Sequence, residues 1–76
     1  MSKRWWYKMT FDTECCCWVV HIQNKTYGLH CGECMELRIG DRGVPCRLEL
    51  DRDWYVIMRE ATFNLRKKET YQIQFV

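Results

Sequence analysis

The stretch from 27 to 50 constrains the fold of this chain more than any other part of the sequence. A glycine-punctuated loop leads into the run 33–39, and the turn 40–43 separates that run from 44–50. Two runs with alternating apolar residues, joined by a short turn that contains glycine, are typical of a β-hairpin. The stretch therefore predicts antiparallel strands and an all-β fold.

The pairing within this hairpin is also constrained. A four-residue loop at 40–43 sets Leu37 opposite Cys46 on one face and Glu36 opposite Arg47 on the other. Apolar residues then meet apolar residues, and opposite charges meet across the strands. A slip of one residue would break both faces. We therefore expect Cys46 to face the core.

Further runs show strand patterns, at 5–11, 15–22, 54–58 and 71–76. Residues 59–70 are harder to interpret and are compatible with a short helical turn followed by a basic loop. With 76 residues and no internal repeat or linker, the chain is expected to be one domain over 1–76. The pattern predicts a small all-β barrel or a rolled antiparallel sheet of five to six strands.

The first hairpin carries a candidate binding surface. A three-residue loop at 12–14 pairs Phe11 with Cys15, and this register places Trp6, Lys8 and Trp18 on one face. Exposed aromatic rings beside a cation can stack on nucleobases or grip a peptide. The alternative is that these rings form a half-buried layer under residues 59–70.

Charge and composition exclude several classes of protein. The net charge of +2 is too small for a charge-driven DNA binder and has the wrong sign for an acidic nucleic-acid mimic. Residues 5–10 are too polar for a signal peptide, and the longest apolar run, 15–20, is too short to span a bilayer. We therefore expect a cytoplasmic protein, away from membranes, in which the six cysteines are free thiols.

Part of the chain resembles a known family. The residues that carry the likeness are Tyr27-Gly28-Leu29-His30-Cys31-Gly32-Glu33, Val44-Pro45-Cys46-Arg47-Leu48-Glu49 and Asp53-Trp54-Tyr55-Val56. This pattern resembles a family of small uncharacterised domains found in Gram-positive bacteria and their mobile elements. The resemblance implies an SH3-like β-barrel and leaves the function open. Cys46 departs from the pattern, which has a small residue such as Thr at that position, so the family gives no support to a metal site there.

The arrangement that looks most like a chemical site is Cys31-x-x-Cys34 with His30 beside it. Zinc takes four sulfur or nitrogen ligands, and a zinc ribbon would need a second CxxC. A redox CxxC lies at a helix N-terminus, whereas this one leads into a strand. We therefore expect no enzymatic activity and no cofactor, with zinc bound by Cys31 and Cys34 as the alternative.

Two further features bear on partners. Arg66, Lys67 and Lys68 form a short basic run that can contact phosphate or nucleic acid. Residues 71–76 alternate as a strand, and at a sheet edge they would pair with a second copy. The sequence is thus compatible with a monomer or with a homodimer formed through an edge strand.

These observations predict a non-enzymatic module that binds a protein partner. The residues expected to carry binding are Trp6, Lys8 and Trp18, together with Tyr27 and His30 in the first long loop. In a phage or other mobile element, the module would bind and modulate a host protein such as a defence enzyme. The alternatives are a nucleic-acid-binding module that uses the same aromatic and basic face, and a zinc-stabilised binding module.

Overall fold

The structure, a computed structural model, describes residues 5–59 and 61–75. These residues form one antiparallel sheet of eight strands and no helix, which confirms the all-β prediction. In chain order the strands are β1 (Tyr7–Asp12), β2 (Cys17–Ile22), β3 (Lys25–Gly28), β4 (Cys34–Ile39), β5 (Arg42–Leu50), β6 (Trp54–Met58), β7 (Thr62–Asn64) and β8 (Tyr71–Gln74). Across the described sheet their order is β3-β2-β1-β8-β4-β5-β6-β7.

Strand β8 joins two groups of hairpin-connected strands. It pairs antiparallel with β1 on one side and with β4 on the other. The sequence left open whether this strand lies at a sheet edge; its described residues lie inside the sheet, and Val76 lies outside the described residues. The sheet begins at β3 and ends at β7, so the described residues form an open sheet with more strands than expected, and not a closed barrel.

One face of the sheet carries the hydrophobic core, because alternate residues of each strand point to the same side. We call this side the core face. Its fully buried side chains are Met9, Trp18, Val20, Met35, Leu37, Leu48, Val56 and Ile73. A side chain of this size stabilises the fold by about 1.5–3 kcal/mol when it is removed from water.

Two loop residues extend the core face beyond the strands. The Leu29 backbone N–H donates to the Trp18 carbonyl at 2.8 Å, and the Leu65 N–H donates to the Trp54 carbonyl at 2.9 Å. Both leucine side chains are buried against the core. The segments that follow β3 and β7 therefore cover the core from the two ends of the sheet.

The first hairpin differs from the predicted register. Phe11 lies opposite Trp18, not opposite Cys15, because the loop contains four residues, 13–16. Asp12 Oδ1 accepts a hydrogen bond from the Glu14 N–H at 2.8 Å, which starts the turn one residue later than expected. The observed pairing is thus shifted by three residues from the predicted register. Because an odd shift turns side chains to the other side of the sheet, Trp18 lies on the opposite face from Trp6 and Lys8.

The register of the second hairpin also differs from the predicted one, here by two residues. Leu37 lies opposite Val44 and Glu36 opposite Pro45, because the connection between β4 and β5 is a two-residue turn. Gly40 starts this turn with a φ of 65°, which glycine adopts without steric cost. The predicted cross-strand pair of Glu36 with Arg47 is therefore wrong. Cys46 nevertheless faces the core as predicted, because an even shift keeps each residue on its side of the sheet, and it is buried.

Both end strands lie where no strand was expected. β3 occupies part of the predicted loop 23–32, and β7 occupies part of 59–70, where a helical turn was considered. Every residue of these two strands is exposed, so neither shows the alternation of buried and exposed residues that marks a strand in sequence.

Candidate functional site

The side of the sheet opposite the core carries two cross-strand rows at its centre. Lys8 lies opposite Gln72, and Glu36 lies opposite Gln74. We define the outer face as Trp6, Lys8, Glu36, Arg38, Gln72 and Gln74. The insertion of β8 between β1 and β4 brings these residues together from three distant parts of the sequence.

Hydrogen bonds fix the polar side chains of the outer face. Gln74 Nε2 donates to Glu36 Oε1 at 2.6 Å, and Arg38 Nη1 donates to Gln72 Oε1 at 2.8 Å. Arg38 Nε also donates to the Gly40 carbonyl at 2.9 Å. The guanidinium is thereby held in one orientation by two separate acceptors, which lowers the entropy that a ligand would have to remove.

Trp6 lies half-buried beneath this guanidinium. The Arg38 guanidinium carbon is 5.7 Å from the centroid of the Trp6 ring, within the range of a cation–π interaction. A Cβ atom on Gly43 would lie 3.1 Å from Trp6 Cη2 and would collide with Glu36 Oε1. A side chain at position 43 would therefore displace the Glu36 carboxylate and press on the edge of the indole.

A shallow groove of about 520 Å³ runs beside this aromatic–cation pair. Two cationic side chains, Lys8 and Arg38, line it together with the polar side chains of Thr70 and Gln72. The chemistry of this lining suits an anionic or hydrogen-bonding ligand group more than an apolar one.

Trp18 is not part of this surface, and its predicted location on one face with Trp6 and Lys8 is wrong. The side chain is fully buried, with its ring 5.5 Å from Phe11 and 5.6 Å from Tyr71 in edge-to-face arrangements. Among the described residues, its buried Nε1–H has no hydrogen-bond acceptor. The odd register shift of the first hairpin accounts for this location.

Tyr27 and His30 do not join the outer face either. Tyr27 lies on the end strand β3 opposite Val20, on the side of the core face, and is 48% exposed. The exposed His30 accepts a hydrogen bond through its carbonyl from the Glu33 N–H at 3.1 Å. Both residues are exposed, and β2 lies between the strand of Tyr27 and β1, which begins directly after Trp6.

The basic run is also located elsewhere. The Arg66 backbone N–H donates to Tyr71 Oη at 2.9 Å, and Lys67 Nζ lies 4.9 Å from the centroid of the Phe11 ring. Lys67 therefore contacts a ring that packs against the core, whereas Lys8 and Arg38 lie on the outer face. Lys68 is exposed in the same turn. The basic run and the two outer-face cations, Lys8 and Arg38, therefore form separate groups.

The two cysteines of the CxxC are exposed, and Cys34 Sγ lies 3.8 Å from the Gly32 carbonyl oxygen. Cys46 is buried, and this burial raises the pKa of its thiol to about 11. Within the described part of the chain, no three His, Cys, Asp or Glu side chains form a group that could hold a metal ion. Zinc at Cys31 and Cys34 stays a prediction, which native mass spectrometry with and without chelator would test.

Sequence reasoning did not name four residues of the outer face as site residues, Glu36, Arg38, Gln72 and Gln74, nor Gly43 beside Trp6. Alternation places Arg38 on the same side of its strand as Glu36, so its outward direction was readable. The contact of Arg38 with Trp6 could not be predicted from the sequence, because this contact depends on the position of β8 between β1 and β4. Gly43 was assigned to a turn, whereas it lies within β5.

The chain is similar to known proteins in sequence and in structure. A family model for a domain of unknown function, DUF5348, matches residues 7–75. A crystal structure of a protein from Ruminococcus gnavus is similar with a TM-score of 0.76 and 27% sequence identity, over 93% of this chain and 100% of that chain. No curated protein matches the chain with significance. No helix of the described residues is long and apolar enough to cross a membrane.

Proposed function

This chain belongs to the DUF5348 family of domains of unknown function, and we propose that it is a small non-enzymatic module that binds a protein partner through its outer face. The observation that carries the proposal is the pair formed by Trp6 and Arg38, in which hydrogen bonds hold the guanidinium and the edge of the indole lies close to Gly43. The predicted binding residues Trp6 and Lys8 are kept. Arg38 takes the place of Trp18 among the proposed binding residues.

Residue type and rigidity both support this role. Trp and Arg are enriched among the residues that carry most of the binding energy in protein interfaces. A ligand loses affinity when it must first order flexible side chains, by about 0.5–1.5 kcal/mol for each one. Arg38 is already held by Gln72 and Gly40, so this cost is reduced.

The groove beside the pair indicates the chemistry of the partner. Lys8 and Arg38 line it, so a segment with an acidic side chain would find two cations within reach. The basic run at Arg66, Lys67 and Lys68 lies against the core side and does not continue this groove. A protein segment that makes a few ionic contacts therefore fits better than a long phosphate backbone.

The test compares two neighbouring tryptophans. We expect Trp6→Ala to lose the partner captured from the native host's lysate, by about tenfold or more, the effect of removing an interface residue worth at least 1.4 kcal/mol. Trp5→Ala is the matched control, because Trp5 is adjacent in sequence and 64% exposed. Equal capture by Trp6→Ala and Trp5→Ala would contradict the proposal.

A second variant alters the surface without removing a side chain from it. The added methyl group of Gly43→Ala pushes against Trp6 and Glu36. We therefore expect a lower affinity for the same partner, although all the binding side chains are still present. Thermal melting checks that each variant is folded. Partner binding unchanged by both Trp6→Ala and Gly43→Ala would assign the interaction to another surface.

A second candidate is nucleic-acid binding, favoured by the two cations that flank the same groove beside an aromatic ring. Fluorescence anisotropy with labelled single-stranded oligonucleotides separates the two. Affinity that falls steeply with added salt indicates phosphate contacts, whereas a protein interface is less sensitive.

The narrower hypothesis concerns the identity of the partner. A host defence enzyme, bound by a mobile-element protein, is the partner suggested by the family resemblance of residues 27–56. Capture of such an enzyme by the wild-type chain, and its loss in Trp6→Ala, is the expected result. A partner retained equally by Trp6→Ala would contradict this hypothesis.

A further inference from the structure

The loop between β1 and β2 holds three consecutive cysteines, and two of their sulfur atoms are in contact. Cys15 Sγ and Cys17 Sγ are 2.6 Å apart. Residues i and i+2 of a regular strand are about 6.6 Å apart along the chain, which is too far for two side chains as short as cysteine to touch. The loop must therefore bend sharply between these two cysteines.

The bend is located at Cys16. Its φ of 55° lies in the left-handed region, which a residue with a side chain rarely adopts. Cys16 Sγ is directed instead toward the Thr13 carbonyl, at 3.5 Å. The strained residue thus turns its own thiol away and brings the two flanking thiols together, and such local strain is common at functional sites.

We infer that Cys15 and Cys17 form a reversible disulfide, which makes the tip of the first hairpin a site of thiol–disulfide exchange with small disulfides such as oxidised glutathione. The two sulfur atoms need to approach by only about 0.6 Å to reach the usual S–S bond length. Cys15 is exposed and Cys17 is half-buried, so an external disulfide reaches Cys15 first. This inference does not depend on the proposed function.

The exchange has two balanced steps. The Cys15 thiolate attacks one sulfur of the external disulfide, forms a mixed disulfide and releases the first external thiolate. Cys17 then gives up its proton to the released thiolate and attacks the Cys15 sulfur, which expels the second external thiolate. Two electrons pass from the two cysteines to the external disulfide, which leaves as two thiols once the second thiolate takes up the proton that Cys15 lost to water.

The order of attack follows from the hydrogen bond between the two thiols. This contact, followed by burial, raises the pKa of Cys17 to about 11, so Cys17 stays protonated near neutral pH. The exposed sulfur of Cys15 is then the attacking atom, and Cys17 resolves the mixed disulfide.

The test titrates reduced, untagged protein with mixtures of oxidised and reduced glutathione, quenches by alkylation, and reads intact and peptide masses. We expect a loss of two hydrogen atoms, mapped to a Cys15–Cys17 bond and reversed by reduced glutathione. Cys15→Ser should abolish closure. Cys17→Ser should stop at the mixed disulfide on Cys15. The double variant Cys31→Ser with Cys34→Ser should close like the wild type.

Position 16 gives a second, independent test. Cys16→Asn should close as fast as the wild type, because Asn tolerates the left-handed region. Cys16→Val should close about fivefold more slowly or worse, because a β-branched residue resists that conformation. A wild-type protein that accumulates only the mixed disulfide, or that closes through Cys16, Cys31 or Cys34 instead, would overturn the inference.

Discussion

The core face and the outer face are built from alternate residues of the same strands, but different forces hold them together. On the core face, Met9, Leu48 and Ile73 are fully buried and contact other apolar side chains. On the outer face, the exposed Arg38 and the half-buried Gln74 make hydrogen bonds across neighbouring strands. The first face supplies most of the stability, and the second presents directed polar groups.

Two tryptophans show what this difference does to the same side chain. Trp18, on the core face, packs edge-to-face against Phe11 and Tyr71 and is inaccessible. Trp6, on the outer face, lies beneath Arg38 and over Gly43, half-exposed. The residue type is equal, so the face alone decides whether the ring stabilises the fold or is available to a partner.

The largest effect is expected from removing the buried ring. Trp18→Ala should lower the free energy of unfolding by about 3–5 kcal/mol, because it leaves a cavity at the centre of the core. Urea unfolding followed by circular dichroism measures this, with Trp5→Ala as the exposed control. A Trp18→Ala variant as stable as Trp5→Ala would break the distinction between the two faces.

Adjacent residues of β5 give a sharper comparison. Leu48→Ala should cost about 2–5 kcal/mol. Its neighbour Arg47 makes an exposed ion pair with Glu49 at 2.8 Å on the opposite side, so Arg47→Ala should cost at most about 1 kcal/mol. The same unfolding assay checks both, and equal losses would mean that the assignment of faces along β5 is wrong.

A pH dependence is expected from the thiol on the core face. Burial raises the pKa of Cys46 from 9.0 to about 11, so the unfolded chain loses this proton first as pH rises. The contribution of this thiol is therefore intact below pH 9 and falls between pH 9 and about 11. The stability difference between wild type and Cys46→Val, measured against pH, isolates it. A difference that stays constant from pH 8 to pH 11 would contradict the raised pKa.

The smallest change in stability is expected on the outer face. Trp6→Ala removes a partly exposed ring and its cation–π contact, and it should cost about 0.5–1 kcal/mol. This variant is also the one expected to lose the partner, so stability and binding should separate. A loss of stability as large as that of Trp18→Ala would move Trp6 into the core and remove the basis for the proposed surface.

Much of the fold was readable from residue alternation. The strands at β1, β2, β4, β5, β6 and β8 were expected near their observed positions, because each has buried or half-buried apolar residues at a spacing of two. β3 and β7 were missed because their residues are all exposed and their pairing depends on the neighbouring strand. The candidate surface was half-predicted: Trp6 and Lys8 lie on it, whereas Trp18 does not.

Local patterns were sufficient for the all-β class and for the division of strands β4 and β5 into a core side and an outer side, since alternation is a property of neighbouring residues. The tertiary structure decided the rest. The Asp12 turn set the register that buried Trp18, and the pairing of β8 with β1 and β4 brought Lys8, Gln72 and Arg38 together. These features depend on turn geometry and on contacts between distant segments, which form only when the whole core is buried at once.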